Sequence, residues 1–127
     1  MKITIKPKNL EVTPALQVYI EEKIGNLEKF IGILKDDNPE SGKSTTAEVL
    51  VDVEKETEHH RKGPIYNCKL ELVIPGKNLL SKSQGEDLRL AIVDARKELM
   101  QQIDWYKAKL VENDRREQMK TKEDIEI

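Results

Sequence analysis

A single cysteine in 127 residues excludes an internal disulfide, and Cys68 standing alone fits a chain kept in a reducing, cytoplasmic setting. No apolar run is long enough to cross a bilayer, so no membrane partner is expected. Met1-Lys2 leads into an alternating stretch instead of an apolar block, which is not the pattern of a signal peptide. Aromatic residues make up only 4% of the chain, so the core has to be built from aliphatic side chains. Charge of one sign is also missing. Residues 1–110 carry 18 basic and 18 acidic residues, and residues 111–127 add four and six, for a net charge of −2. That balance argues against a generic nucleic-acid binder, so any such role has to rest on how charge is distributed. There is no Gly-rich phosphate loop, no Cys-x-x-Cys pair and no His-Glu-x-x-His motif. The chain therefore does not read as an enzyme, and no cofactor, metal or small-molecule substrate is expected.

What is present is periodicity. Lys2 to Lys6 alternates, with Ile3 and Ile5 on one side, as a half-buried strand does. Thr13-Pro14 is a helix start, because a Thr hydroxyl caps a free amide and Pro tolerates the first helical position. Leu16, Ile20, Ile24, Leu27 and Ile31 then share one face of a helix expected over Val12 to Leu34, with Gly25 as a flaw inside it. Either a close neighbour requires that glycine or packing overrides it. Residues 35–44 read as a loop. Thr45 to Glu54 and Ile65 to Ile74 return to period two. Val49, Val51 and Val53 share a face in the first, and Cys68, Leu70, Leu72 and Ile74 in the second. Pro75 to Asn78 is a turn signal, and Leu79 to Ser83 a weaker fourth strand. From Glu86 the period becomes helical, with Leu88, Ile92, Ala95, Leu99, Ile103, Tyr106 and Leu110 on one face.

The order β-α-β-β-β-α predicts an α+β two-layer sandwich, with a four-stranded mixed sheet and both helices on one face. Residues 1–110 form the domain. Residues 111–127, with few apolar positions, are expected to be a frayed helix end and a disordered tail.

Cys68 lies on the apolar face of a strand, where cysteine packs as a small hydrophobe; the alternative is a nucleophile served by a histidine. His59, His60, Arg61 and Lys62 occupy a polar connection that reads first as a plain solvated segment, with a metal site at the two histidines or a phosphate-contacting tip as the alternatives. On the second helix Arg89, Arg96 and Lys107 fall at nearly one angle beside the apolar stripe. Lys23 and Lys29 add positive charge on the first helix, and Lys6 and Lys8 lie just before it. Asp94, Glu98 and Asp104 weigh against a strong patch. Trp105, off the stripe, either stacks on a base or covers a neighbouring loop.

Several segments carry a resemblance: MKITIKPKNLEVTPALQVYIEEKIGNLEKF, Ile74-Pro75-Gly76, Gly85-Glu86-Asp87-Leu88 and Ala91-Ile92. Taken in this order over residues 1–110, they resemble the ribosome hibernation-promoting factors, also labelled ribosome-associated inhibitor or sigma-factor modulation proteins. The resemblance implies a fold like a double-stranded-RNA-binding domain. It also implies a partner, the small ribosomal subunit, bound near the decoding centre so that mRNA and tRNA are blocked and idle ribosomes are silenced. The implied mechanism is steric, with Lys and Arg contacting rRNA phosphates. Lys23, Lys29, Arg89, Arg96 and Lys97 are the leading contacts, with Lys6, Lys8, Lys107 and the His59–Lys62 tip behind them. Long family members carry an extra C-terminal dimerisation domain, and this chain is expected to behave as a short form without it. Where many relatives have Lys-Leu-x-Arg-Gln-Leu, this chain reads Glu98-Leu99-Met100-Gln101-Gln102-Ile103, and Asn26 stands where Lys is frequent. The alternative is a protein-interaction module that kept the fold and lost RNA affinity.

Overall fold

Thr13 and Pro14 open the first helix as their chemistry dictates. In the computed structural model the Thr13 hydroxyl accepts the Leu16 amide at 3.2 Å, and helix α1 runs Pro14–Gly25. The structure describes residues 1–31, 47–56 and 63–125, with side chains as far as Asn113. The loop expected at 35–44 and the His59–Lys62 tip lie outside the described residues.

The continuous helix expected as far as Leu34 does not hold. After Gly25 the backbone tightens into a 3₁₀ turn over Asn26–Phe30. Glycine is a poor helix interior residue, and the tighter turn still buries Leu27 and Ile31 completely. Nothing requires a glycine there: a Cβ at position 25 would have its nearest neighbour, Ile3 Cδ1, at 3.8 Å, an ordinary contact.

Four strands follow the alternation read from the sequence: β1 Lys2–Lys8, β2 Glu48–Glu56, β3 Ile65–Ile74 and β4 Lys77–Gly85. They lie in the order β1-β2-β3-β4. β1 runs parallel to β2, with Ile3 opposite Val49, and the other pairs are antiparallel. Pro7 inside β1 is tolerated because β1 is an edge strand. The chain leaves β1 through Asn9 at φ 60, a left-handed conformation that Asn accepts more readily than most residues. The β3–β4 turn is only Pro75-Gly76, with Gly76 at φ 80, the geometry of a type II turn; Lys77 and Asn78 already belong to the strand.

Helix α2 spans Leu88–Ile125. Glu86 and Asp87 precede it instead of forming its first turn. Asp87 is its cap, accepting the Arg89 amide on Oδ1 at 2.9 Å and the Ala91 amide on its carbonyl at 3.0 Å. Where a frayed helix end and a disordered tail are expected from residue 111, the backbone is helical to Ile125. Residues 111–125 contain no Gly or Pro, and nine of the fifteen are Glu, Arg, Lys, Gln or Met. Once a helix is nucleated, each further residue of that kind extends it without needing an apolar face.

Both helices cover the same sheet face. Ile20, Ile24, Ile92, Leu99 and Ile103 meet Val49, Val51, Leu70 and Leu72 in one core, all of them fully buried. Edge strand β4 is stitched to α2 by polar groups. Buried Ser81 donates to the Ala95 carbonyl at 2.8 Å, Ser83 donates to the Ala91 carbonyl, and Gln102 donates to the Leu80 carbonyl. Glu98 accepts the Lys82 amide at 3.4 Å. Backbone groups that an edge strand would leave open are thereby occupied.

Candidate nucleic-acid interface

The seam between α1 and α2 gathers three of the expected cations around a residue that the charge pattern does not single out. Tyr19 and Lys23 are one helical turn apart on α1, and Lys23 Nζ lies 5.7 Å from the Tyr19 ring centroid. Arg89, in the first turn of α2, places its guanidinium carbon 5.0 Å from the same centroid. Two turns further along, Arg96 Nε donates to the Lys23 carbonyl at 2.9 Å. That carbonyl belongs to the last turn of α1, where the helix dipole favours a cation. One of the five guanidinium N–H donors of Arg96 is thus committed to fixing the side chain, and the rest remain for a ligand. A half-buried ring and a backbone acceptor therefore hold Lys23, Arg89 and Arg96 in one cluster. The spacing of Tyr19 and Lys23 is the sequence signal that points to the ring.

The remaining candidates are dispersed. Lys29 lies in the 3₁₀ turn with its Nζ 5.3 Å from the Phe30 centroid. Lys97 is exposed on α2, one position round the helix from Arg96. Lys107 shares Arg96's side of α2 but lies eleven residues on, about 16 Å along the axis. Lys6 and Lys8 sit on β1 and face the other side of the sheet, away from both helices; Lys8 reaches Glu54 at 3.7 Å. Of the two positions where the family pattern would place charge, Gln101 is exposed, and Glu98 has a structural use. Glu98 accepts a β4 amide, and Gln102 beside it donates to a β4 carbonyl, so this stretch holds the sheet edge. Trp105 is 62% exposed, with Lys109 Nζ 4.9 Å from its ring.

Cys68 is buried on the helix side of the sheet. Burial pushes its thiol up to about 12, and the Asp52 carboxylate adds to the shift, so the thiol stays protonated at neutral pH. Among the described residues no three His, Cys, Asp or Glu side chains converge where a metal ion would sit. Among them, too, no helix is long and apolar enough to cross a membrane.

The seam thus sets guanidinium and ammonium groups beside an aromatic ring. A family model described as sigma 54 modulation protein / S30EA ribosomal protein matches residues 3–111. A ribosome hibernation promotion factor of Lactococcus lactis subsp. cremoris is 29% identical over 112 residues, covering 87% of this chain and 51% of the relative. One from Bacillus subtilis is 32% identical over 115 residues, covering 87% of this chain and 50% of the relative. The chain thus spans about half the length of the curated relatives it matches. The crystal structure of the Thermus thermophilus protein Y N-terminal domain superposes with a TM-score of 0.62 at 20% identity, over 84% of this chain and 99% of that one. A ribosomal subunit interface protein from Coxiella burnetii gives 0.61 at 15% identity, over 85% and 99%. At these identities the two structures establish a shared fold.

Proposed function

Because the chain belongs to the sigma 54 modulation protein / S30EA ribosomal protein family, we propose that it binds the small ribosomal subunit near the decoding centre, blocks mRNA and tRNA access, and so silences idle ribosomes. The observation that supports this reading is the seam cluster, in which Arg96 is tied to the Lys23 carbonyl and Lys23 and Arg89 flank Tyr19. Folded RNA is read by shape and phosphate position, and charges held at fixed separations suit that. A two-layer fold with its helices on one face, similar to a double-stranded-RNA-binding domain, would present such a cluster to a phosphate ridge. Inhibition by occupation needs no reacting group, in keeping with the protonated thiol of Cys68.

The test is cosedimentation with purified ribosomes and separated subunits over a salt series. The unaltered protein is expected on the small subunit, with affinity falling steeply as salt rises. Reversing two charges, in Lys23→Glu with Arg96→Glu, should weaken binding and flatten that dependence. Unchanged binding in the double variant rejects the seam. The near-neutral body and the structural use of Glu98 favour a second reading, a protein-interaction module of the same fold. It predicts no ribosome binding even at low salt.

A further inference from the structure

The sheet face turned away from the helices carries charge that the seam does not use. Strand alternation and register put Lys6, Asp52, Lys69 and Lys82 in one row across all four strands. The adjoining row contains Lys8 and Glu54. Together they line a groove of about 700 Å³, in which four lysines meet two carboxylates. Strands lie about 4.8 Å apart, so crossing the groove takes roughly 15 Å. Lys8 is paired with Glu54. Lys69 and Lys82 are direct cross-strand partners in β3 and β4, and neither ammonium is in an ion pair among the described residues. Like charges placed directly opposite destabilise a sheet. An anion shared between the two would relieve that repulsion. In the next row Leu50, half-buried, and Leu80, 44% exposed, stand on either side of Glu71, whose carboxylate accepts the Asn78 side-chain amide at 3.1 Å.

We propose that this groove is a second RNA-contact surface: a single RNA strand crosses the sheet, with one phosphate shared by Lys69 and Lys82, another near Lys6, and bases against Leu50 and Leu80. The proposal rests on the ribosome-binding reading and extends it to the opposite side of the molecule. It gives a protein lodged in an RNA channel contacts on both of its layers. Phosphodiester charge complements the excess of two positive charges in the groove lining, while Glu71, outside that lining and held by Asn78, keeps phosphates off the Leu50–Leu80 row and leaves the two leucines to apolar contact with bases.

The test is lysine acetylation of the full chain, alone and bound to purified small subunits, with the modified positions mapped. Lys69 and Lys82 should be protected several-fold on binding, together with Lys23. The double variant Lys69→Gln with Lys82→Gln should bind with a log–log salt slope shallower by about 1.4, two contacts at about 0.7 each. It should melt no lower than the unaltered protein, because the opposed charges are gone. Lys69→Arg with Lys82→Arg should keep the full slope. A single-stranded oligouridylate probes the groove apart from the ribosome, and the Gln double variant should lose affinity for it.

The proposal is overturned if Lys69 and Lys82 react equally in the free and bound protein while Lys23 is protected. It is also overturned if inorganic pyrophosphate occupies the groove while the Gln variant keeps the unaltered ribosome slope, which makes it a small-anion site. Failure of the unaltered protein to bind ribosomes overturns the ribosome reading instead. Oligouridylate binding that disappears in the Gln variant then still supports the groove.

Discussion

On the helical side of the molecule, positive charge is held in place. Arg96 is anchored on a backbone carbonyl of the neighbouring helix, and Lys23 and Arg89 both lie over the Tyr19 ring. On the open side of the sheet, Lys69 and Lys82 stand opposite each other with no ion pair among the described residues. The same kind of charge is therefore presented in two ways. Anchored cations meet a ligand with little further loss of side-chain freedom, so they favour one arrangement of phosphates. Unanchored lysines lose rotamer freedom on binding but adapt to many arrangements. Register on a folded RNA would come from the first face, and added affinity from the second.

The comparison breaks most completely if the shared core is damaged. Leu99 is fully buried between α2 and the sheet, and Leu99→Ala should cost about 2–5 kcal/mol in denaturant unfolding. Ribosome affinity measured well below the new midpoint should fall with it, because α2 carries Arg89 and Arg96.

A smaller effect comes from Cys68, which feels both faces. Burial beneath the helices raises its thiol first, and Asp52 on the open face raises it further, from near 9 to about 12. Between those values the unfolded chain releases a proton that the folded chain keeps. The stabilisation is thus complete below about 9 and is lost as pH rises, by about 1.4 kcal/mol per unit across that window. Urea unfolding at rising pH, read as the difference from Cys68→Ala, should show that decline. Asp52→Asn should shorten the window. A flat difference would detach Cys68 from both faces.

The smallest expected effect sharpens the comparison directly. Arg96→Lys keeps the charge but loses the Nε–H bond to the Lys23 carbonyl, and should weaken ribosome binding by about 1 kcal/mol, roughly fivefold. If Lys serves as well as Arg at 96, the anchoring argument fails.

Most of the fold was legible in the sequence because it rests on local regularity. The alternation at Val49, Val51 and Val53, and at Cys68, Leu70 and Leu72, identified the buried sheet face, and the stripes ending at Ile31 and Leu110 identified both helices. The change of pitch at Gly25 was not legible, since the apolar spacing reads the same through a 3₁₀ turn. The helix over 111–125 was missed because scarce apolar residues suggest disorder, although backbone propagation depends on propensity. Helical spacing marked Arg89 and Arg96, but Tyr19's part depends on contact between two helices about seventy residues apart. The pairing of Lys69 with Lys82 follows from a turn reduced to Pro75-Gly76; the four-residue turn signal left that register open. The structural use of Glu98 depends on which strand is the sheet edge, and that is a property of topology.

The parallel pairing of β1 with β2 also sets a schedule. Lys2 finds its partner at Glu48, 46 residues later, whereas β2, β3 and β4 are each joined to the next by a shorter antiparallel connection. During synthesis at about 5–20 residues per second, β1 waits roughly 2–9 s before its partner exists. β1 cannot be placed in the sheet until β2 has been made. Completion of the sheet is therefore timed by elongation as well as by the intrinsic speed of folding.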